Sequence, residues 1–265
     1  MTPEAIEEAA RLLAANRLDR TRLTALPEGC RPPDIDTAYL VQARLNEHLS
    51  LAGLGRIGGW KIGVTTPVMQ RYMGMYEPSY GAVFAPTIRH GHAHVRHADF
   101  ANPGVEAEIA VSLAADLPLS GEKWTRDSVA AAVGACMASI EIVDARYADY
   151  RKLDTPTMVA DDFFNAGVIL GPACRDWRKL DLAEVTGRMV LNGTEVGTGK
   201  GALVMGHPFE ALAFVANRLA GFGRHPRAGD VVTLGSVVET KWLSPGDVVE
   251  VTMEGIGSCG VTFAR

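Results

Sequence analysis

Two glutamates interrupt an otherwise apolar strand pattern at residues 105–111, which read VEAEIAV. Side chains two positions apart on a β-strand point to the same face, so Glu106 and Glu108 project together while apolar side chains cover the opposite face. Neighbouring carboxylates repel each other and lose hydration when buried, so a buried pair needs a proton, a cationic side chain or a metal ion. The alternative is a strand with a solvated outer face, where alternate glutamates are ordinary. This segment alone leaves both interpretations open.

A second acidic interruption favours the buried interpretation. Residues 138–144 read ASIEIVD, a β-branched run that predicts another strand and supplies a third carboxylate, Glu141. Three carboxylates and water suit Mg²⁺ or Mn²⁺, because both ions take oxygen ligands in near-octahedral geometry and keep positions open for water or substrate. The two segments therefore predict a site for a hard divalent cation.

Composition and charge narrow the class of protein. With 265 residues, 47% of them hydrophobic and 22% charged, the chain can bury one large core and carry a smaller N-terminal part. A net charge of -5 without a lysine or arginine run argues against nucleic-acid binding. No apolar run reaches the ~20 residues of a membrane span, and residues 1–5 do not form a secretion signal. We expect a cytoplasmic protein that contacts neither nucleic acid nor membrane.

The distribution of periodic segments predicts an α+β fold with a β-rich catalytic part. Thr2 and Pro3 begin one helix, a second starts near residues 34–36, and glycines at 53 and 55 end it. Further helices are predicted at about 125–137 and 208–220, and Asn192-Gly193 predicts a hairpin turn. β-Branched runs predict strands at 83–84, 105–113, 140–143, 168–170, 189–191, 231–234 and 248–253. We therefore divide the chain into a helical N-terminal region, residues 1–58, and a catalytic domain, residues 59–265.

Lys61 is the candidate for acid–base chemistry. It lies in the segment GGWKIGVT at residues 58–65, among glycines and apolar residues. That setting predicts a partly desolvated ammonium group with a pKa lowered toward a useful range for proton transfer. A lysine whose stem packs while its head reaches solvent is an equally good interpretation of the same segment.

Two other motifs are better explained without chemistry. His90, His92 and His94 alternate and could line one strand face as metal ligands, but no acid or cysteine in the run completes a site, which favours an exposed polar ribbon. Residues 197–201, GTGKG, lack the first glycine and the final hydroxyl residue of a phosphate loop. We interpret them as the flexible end of a hairpin.

Five segments together resemble one enzyme family: WKIGVT at 60–65, PGVEAE at 103–108, EIVDAR at 141–146, VADD at 159–162 and GDVVTLGS at 229–236. In these segments the chain is similar to the 2-keto-4-pentenoate hydratase and 4-oxalocrotonate decarboxylase branch of the fumarylacetoacetate hydrolase superfamily, and the similarity runs in the same order over nearly its whole length. The resemblance implies a mixed β-sandwich roll of the fumarylacetoacetate hydrolase type.

The resemblance also assigns roles to residues. It implies that Mg²⁺ or Mn²⁺ is held by Glu106, Glu108 and Glu141, and that Lys61 is the family lysine. The further catalytic candidates in these motifs are Asp144 and Asp161. The candidate substrate contacts are Ser79, Asn165 and Ser236.

The implied substrate is a small 2-oxo or 2-hydroxydienoic acid. Its carboxylate and C2 oxygen would bind the ion, which stabilises an enolate while Lys61 moves protons along the conjugated chain. Hydration is the favoured reaction, and decarboxylation needs almost the same site. Hydrolysis of an acylpyruvate C–C bond ranks below both, because it would require a base such as Glu47 or His48 to reach the metal.

A different class of function is a catalytically silent partner subunit. The retained acids and Lys61 argue against it, because such a subunit does not need a buried cluster of like charges. The resemblance implies a homo-oligomer and admits association with a related hydratase or decarboxylase.

Three segments depart from the family pattern around the predicted substrate site. Ser79 stands where many hydratases carry an aspartate. Residues 163–165, FFN, replace a small serine-rich stretch, and residues 237–242, VVETKW, replace a continuation that contains threonine and proline. All of the predicted metal ligands remain in place.

Overall fold

Six α-helices and twelve β-strands make up the fold in the computed structural model, which describes residues 1–265. The helices are α1 (Pro3–Asp19), α2 (Ile35–Leu49), α3 (Pro67–Met73), α4 (Arg126–Val129), α5 (Thr155–Ala160) and α6 (Pro208–Ala220). The strands are β1 (Ile57–Gly63), β2 (Ser79–Phe84), β3 (Ile88–His90), β4 (His92–Arg96), β5 (Pro103–Leu113), β6 (Val133–Asp144), β7 (Asn165–Leu170), β8 (Thr186–Leu191), β9 (Thr194–Lys200), β10 (Val231–Trp242), β11 (Val248–Met253) and β12 (Gly257–Ala264). None of the helices has the length and apolar character needed to cross a membrane.

The strands form two mixed sheets. One has seven strands in the order β2-β1-β10-β5-β6-β7-β3, and the other has five in the order β4-β12-β11-β8-β9. Strands β11 and β12 of the smaller sheet pack against β6 of the larger one, with Val249, Val251 and Phe263 fully buried in the core. The α+β prediction is confirmed, and the central strands β5 and β6 are buried along nearly their whole length.

The N-terminal helices begin where the sequence predicts. The Thr2 hydroxyl accepts a hydrogen bond from the Ala5 amide, which caps α1, and the Asp34 carboxylate caps α2 in the same way. Helix α2 packs on α1 and α5, and the buried Gln42 side chain donates to the carbonyl groups of Tyr80 and Val159. The N-terminal region therefore contacts the strand region directly. The boundary at residue 58 stays a prediction.

The predicted helix at 125–137 is wrong in its second half. Helix α4 covers Arg126–Val129, a 3₁₀ turn follows at Ala130–Ala132, and β6 begins at Val133. Apolar residues spaced four apart share a face in a strand as well as in a helix, so the spacing did not distinguish the two. Pairing with β5 along the whole of β6 decides in favour of the strand.

Three smaller predictions have clear outcomes. Asn192 and Gly193 turn the β8–β9 hairpin with φ angles of 51° and 81°, as predicted. The segment 197–201 is not a flexible end, because β9 stays paired with β8 as far as Lys200. The three alternating histidines lie exposed on β3 and β4, in agreement with a polar ribbon.

Candidate active site

Three carboxylates meet on one face of the larger sheet. Glu106 and Glu108 lie on β5 and point to the same side, and Glu141 lies on β6 directly opposite Glu106 in the antiparallel register. One oxygen atom from each of the three lies within 4.8 Å of the others. The two acidic interruptions recognised in the sequence are thus a single cluster, held by two paired strands.

Burial makes this cluster electrostatically unfavourable by itself. Glu108 and Glu141 are fully buried, and Glu106 is half-buried. Burial, with repulsion from Glu141 and Glu106, holds the pKa of Glu108 well above its ordinary value. Burial is also the main cause of a raised pKa at Glu141, and the nearby Lys61 ammonium partly opposes it. Neutralising charge from outside the protein would relieve both carboxylates.

Each carboxylate has one oxygen fixed by a neighbouring group. The Gly235 amide donates to Glu108 Oε2 at 2.8 Å, the Asn165 side-chain amide donates to Glu141 Oε1 at 3.0 Å, and the Thr240 hydroxyl donates to Glu106 Oε1. Thr240 was not among the residues predicted for the site. Its only signal is its position on the strand after the Gly-Ser motif.

The remaining oxygens of the two buried carboxylates fit a metal ion. Glu108 Oε1 and Glu141 Oε2 are buried and have no hydrogen-bond partner. Leaving a buried charged oxygen unpaired costs more than the ~1–3 kcal/mol of a neutral group. Free carboxylate oxygens that converge from two strands are the ligands that Mg²⁺ and Mn²⁺ prefer. The residues present therefore fit a hard divalent cation.

Lys61 is buried beside this cluster. Its side chain is 2% exposed, and its Nζ lies 3.3 Å from Glu141 Oε1 and donates to the Phe163 carbonyl at 3.2 Å. The expectation of a lowered pKa is wrong. Burial disfavours the charged form, but attraction by Glu141 and the other two carboxylates outweighs it, and the pKa of Lys61 is raised. Its sequence neighbours are apolar, whereas its spatial neighbours are acidic.

Ser79 also lies near the ammonium. A Cβ atom placed on Gly63 would sit 3.4 Å from Lys61 Nζ and 3.5 Å from Ser79 Oγ, so both groups border the same glycine. Ser79 is fully buried, and its hydroxyl has no partner. Thr233, which pairs with Lys61 across β1 and β10, has a second unpartnered buried hydroxyl that the sequence analysis missed.

The Ser236 hydroxyl donates its hydrogen bonds to backbone carbonyl groups. Its hydroxyl lies 2.6 Å from the Val238 carbonyl and 3.3 Å from the Ala107 carbonyl. The residue faces Glu108 in the strand register and is half-buried. It lies beside the cluster, with its hydrogen-bond donor directed at the backbone.

Asp144 and Asp161 are not joined to the carboxylate cluster by hydrogen bonds or ion pairs. The Asp144 carboxylate accepts from the amides of Ala101 and Asn102, and Asp161 forms a two-oxygen contact with Arg146 at 3.0 Å. Arg146 also lies 3.9 Å from Asp144. These contacts support a structural role for both acids, and their predicted catalytic role stays a prediction.

An unusual turn connects α5 to β7 next to the site. Asp162, Phe163 and Phe164 have φ angles of 51°, 48° and 69°, a left-handed region that costs a non-glycine residue about 1–2 kcal/mol. The buried Asp162 carboxylate secures the turn by accepting hydrogen bonds from the Ala82 amide, Asn46 and Arg17. This anchor was not predicted from the sequence, because its partners are remote in the sequence.

Glu47 and His48 lie away from the cluster. Glu47 pairs with Arg44 within α2, and His48 Nε2 lies 2.7 Å from Glu7 Oε1 on α1. Neither side chain has a contact with the three carboxylates or with Lys61. The base required for the hydrolase alternative is therefore not supplied by these residues.

Comparison with known proteins gives a consistent result. Residues 78–264 match the fumarylacetoacetate hydrolase C-terminal family. The chain is 32% identical to 2-keto-4-pentenoate hydratase from Paraburkholderia phymatum, over 98% of each chain. It is 33% identical to 2-hydroxyhexa-2,4-dienoate hydratase from Comamonas testosteroni, over 97% of each. The structure of 4-oxalocrotonate decarboxylase from Pseudomonas putida G7, complexed with magnesium and adipate, superimposes with a TM-score of 0.92 at 28% identity, covering 99% of this chain and 98% of that one.

Proposed function

The chain belongs to the fumarylacetoacetate hydrolase family, and we propose that it is a metal-dependent hydro-lyase that hydrates a short 2-hydroxydienoate or 2-oxo-enoate. The family and the fold type predicted from the motifs are confirmed. The observation that carries the proposal is the buried cluster of three carboxylates beside the Lys61 ammonium. Full-length similarity to two hydratases supports hydration as the reaction.

We propose that Glu106, Glu108 and Glu141 hold the metal ion, with Mg²⁺ or Mn²⁺ as the candidates. The unpartnered oxygens of Glu108 and Glu141 and the oxygen-only donor set support this assignment. When bound, the ion supplies Lewis acidity for the negative charge that develops on the C2 oxygen of a 2-oxo acid. Hydrogen bonds from Gly235, Asn165 and Thr240 hold the three carboxylates in place for that task.

Lys61 is proposed to move protons on the carbon chain. The three carboxylates raise the pKa of Lys61 in the metal-free protein, so it is an ammonium there. A bound cation would weaken that attraction, and we propose that Lys61 enters the reaction as a proton donor. In ketonisation of the dienol, Lys61, the buried donor beside the cluster, gives a proton to the far end of the conjugated system, and the resulting amine takes up the enol proton, which restores the ammonium. Water then adds to the unsaturated ketone, giving a 4-hydroxy-2-oxo acid. The Glu141 carboxylate, at 3.3 Å, stabilises the charged form of the lysine between steps.

Among the predicted substrate contacts, Ser79 has the strongest support. Its buried, unpartnered hydroxyl borders the same glycine as Lys61 Nζ and is free to bind a substrate oxygen or a water molecule. Asn165 is proposed to act through Glu141, which it contacts directly. Ser236 is proposed to support the site by pairing with Glu108 in the strand register. Its hydroxyl is not proposed as a substrate contact, because it already donates to a backbone carbonyl.

Decarboxylation remains the second candidate, because the 4-oxalocrotonate decarboxylase structure superimposes over nearly the whole chain. An ion held by the same three carboxylates would supply charge stabilisation for the enolate that receives the electron pair of the broken C–C bond as CO₂ leaves. The remote position of Glu47 and His48 argues against the acylpyruvate hydrolase alternative. The complete cluster with Lys61 also argues against a silent subunit.

We also propose that the protein forms a homo-oligomer. Helix α3 and the loop after it expose Val68, Tyr72 and Tyr76, which are 65%, 70% and 102% exposed. Large apolar side chains grouped on one short segment are typical of a surface buried by a second chain. Sedimentation of the purified protein would test this.

The test of the function is an absorbance assay with Mg²⁺ or Mn²⁺ and two substrates, 2-hydroxypenta-2,4-dienoate and 2-oxohex-3-enedioate. Metal-dependent loss of the dienol, with a 4-hydroxy-2-oxo acid as product and no CO₂, would support the hydratase. Metal-dependent release of CO₂ from the second substrate would instead identify a decarboxylase. Inactivity of the metal-loaded protein on both would overturn the proposal.

A further inference from the structure

Phe163 covers one side of the Lys61 ammonium. The lysine Nζ donates to the Phe163 carbonyl at 3.2 Å and lies 5.3 Å from the centroid of its ring, within cation–π range. Phe163 is half-buried, whereas its neighbours Asp162 and Phe164 are buried. The ring therefore forms an apolar wall next to the proposed proton donor, and part of it remains accessible.

The wall is held in a fixed position. The Asp162 carboxylate accepts from the Ala82 amide at 2.8 Å, from Arg17 at 3.1 Å and from Asn46 at 3.2 Å. These contacts from α1, α2 and β2 keep the turn in its left-handed conformation. The ring of Phe163 is thus presented by a rigid element rather than by a flexible loop, as selective sites require.

The buried cations near the ring, Lys61, Arg17 and Arg146, are already paired with acidic side chains. Two hydrogen-bond donors of Lys61 are directed at Glu141 and at the Phe163 carbonyl. Arg17 pairs with Asp162, and Arg146 pairs with Asp161, so both buried arginines near the turn are already neutralised. A carboxylate placed against this wall would lose hydration and would have to compete with Glu141, Asp161 and Asp162 for an ionic partner.

We propose that Phe163 determines substrate specificity by selecting 2-oxo and 2-hydroxydienoic monocarboxylates with a short apolar tail over the corresponding dicarboxylates. The inference rests on the proposed function. In that function the substrate carboxylate and C2 oxygen lie at the glutamate cluster, and Lys61 lies beside the carbons that follow. The tail of the substrate then passes Phe163.

The test uses two unreactive acids of equal length, 2-oxohexanoate and 2-oxoadipate, which differ only in a terminal methyl or carboxylate group. Calorimetric titration of the Mg²⁺-loaded wild-type protein should show at least about 10-fold tighter binding of 2-oxohexanoate, the discrimination typical of an apolar pocket. Phe163→Asn removes the ring and tolerates a left-handed backbone, and it should lose most of that preference. Phe163→Leu keeps an apolar wall and should retain it.

Equal or tighter binding of 2-oxoadipate by the wild-type protein would overturn the inference, and this comparison needs no variant. An unchanged preference in a folded Phe163→Asn protein would overturn it as well. The hydratase assay distinguishes this failure from failure of the proposed function. Hydration of the dienoate without binding selectivity would refute the role of Phe163 alone, whereas selectivity without turnover on either substrate would refute the reaction alone.

Discussion

Lys61 and Glu141 form a buried ion pair, with 3.3 Å between Nζ and Oε1, although β10 and β5 separate their strands in the sheet. Three strand spacings amount to about 14 Å in a flat sheet, so the two long side chains must lean toward each other across β10 and β5. Pairing of distant strands, rather than a local motif, brings the residues of the candidate site together.

Replacement of Lys61 should separate metal binding from turnover. We expect Lys61→Met to retain the divalent ion and to lower kcat by about 10²–10⁴-fold, the usual range for loss of a general acid or base. Bound metal and steady-state kinetics would be measured on the same preparation. Lys241→Met is the matched control, because Lys241 pairs with the exposed Glu239 and has no contact with the cluster. A Lys61→Met enzyme with an unchanged kcat would eliminate the proton-transfer role.

Replacement of Glu108 should abolish metal binding without unfolding the protein. Glu108→Gln removes one of the three proposed anionic ligands, and with it the buried charge whose desolvation and repulsion by Glu141 and Glu106 raise the pKa of Glu108. We expect Mg²⁺ affinity to fall by at least about 100-fold, while the metal-free variant melts at the same temperature as the metal-free wild type or higher. Calorimetric titration and thermal melting in EDTA would check both parts. Full metal content with full activity would refute the assignment of the three ligands.

The raised pKa values predict how pH affects the metal-free protein. The pKa values of Glu108 and Glu141 in the folded protein lie above the ordinary value of 4.5. Between pH 4.5 and these raised pKa values, the folded protein therefore binds more protons than the unfolded chain. Their contribution to stability is complete below that value and is lost as pH rises through the folded-state pKa values. The increase in Tm caused by Mg²⁺ should therefore be larger at pH 8 than at pH 5, and Glu108→Gln should reduce this difference. An equal increase at both pH values would contradict the assignment.

Much of the fold was predictable because the relevant signals are local. The caps at Thr2 and Asp34, the Asn192-Gly193 turn and the β-branched runs act through neighbouring residues, and they appear where expected. The start of β6 was not predictable, because an alanine-rich segment with apolar residues four apart suits both a helix and a strand. Pairing with β5 resolves that ambiguity, and it involves residues remote in the sequence.

The candidate site likewise contains residues that could be predicted from the sequence and contacts that could not. Glu106, Glu108 and Glu141 could be found from the sequence, because an acid inside an apolar strand pattern is itself anomalous. The direction of the Lys61 pKa shift could not be found, because it depends on carboxylates that other strands bring close. The role of Asp162 was hidden for the same reason, since its partners lie on α1, α2 and β2.

Asp162 provides the sharpest test of how this turn is held. Asp162→Ala removes the hydrogen-bond acceptor of the Ala82 amide and of the Asn46 side chain. It also removes the closer of the two aspartates that pair with the buried Arg17. Breaking a buried ion pair by removing one partner costs about 3–5 kcal/mol, so we expect the free energy of unfolding to fall by an amount in this range. Urea denaturation followed by tryptophan fluorescence would measure it.

Two further variants make the test of Asp162 specific. Asp176→Ala is the control, because Asp176 forms an exposed pair with Lys179 and should change the free energy of unfolding by less than about 1 kcal/mol. Asp162→Asn keeps an oxygen acceptor and a residue type that tolerates a positive φ, so its loss should lie between the other two. If Asp162→Ala and Asp176→Ala are equally stable, the Asp162 carboxylate does not hold the turn. The rigid placement of Phe163 beside Lys61 would then need another cause.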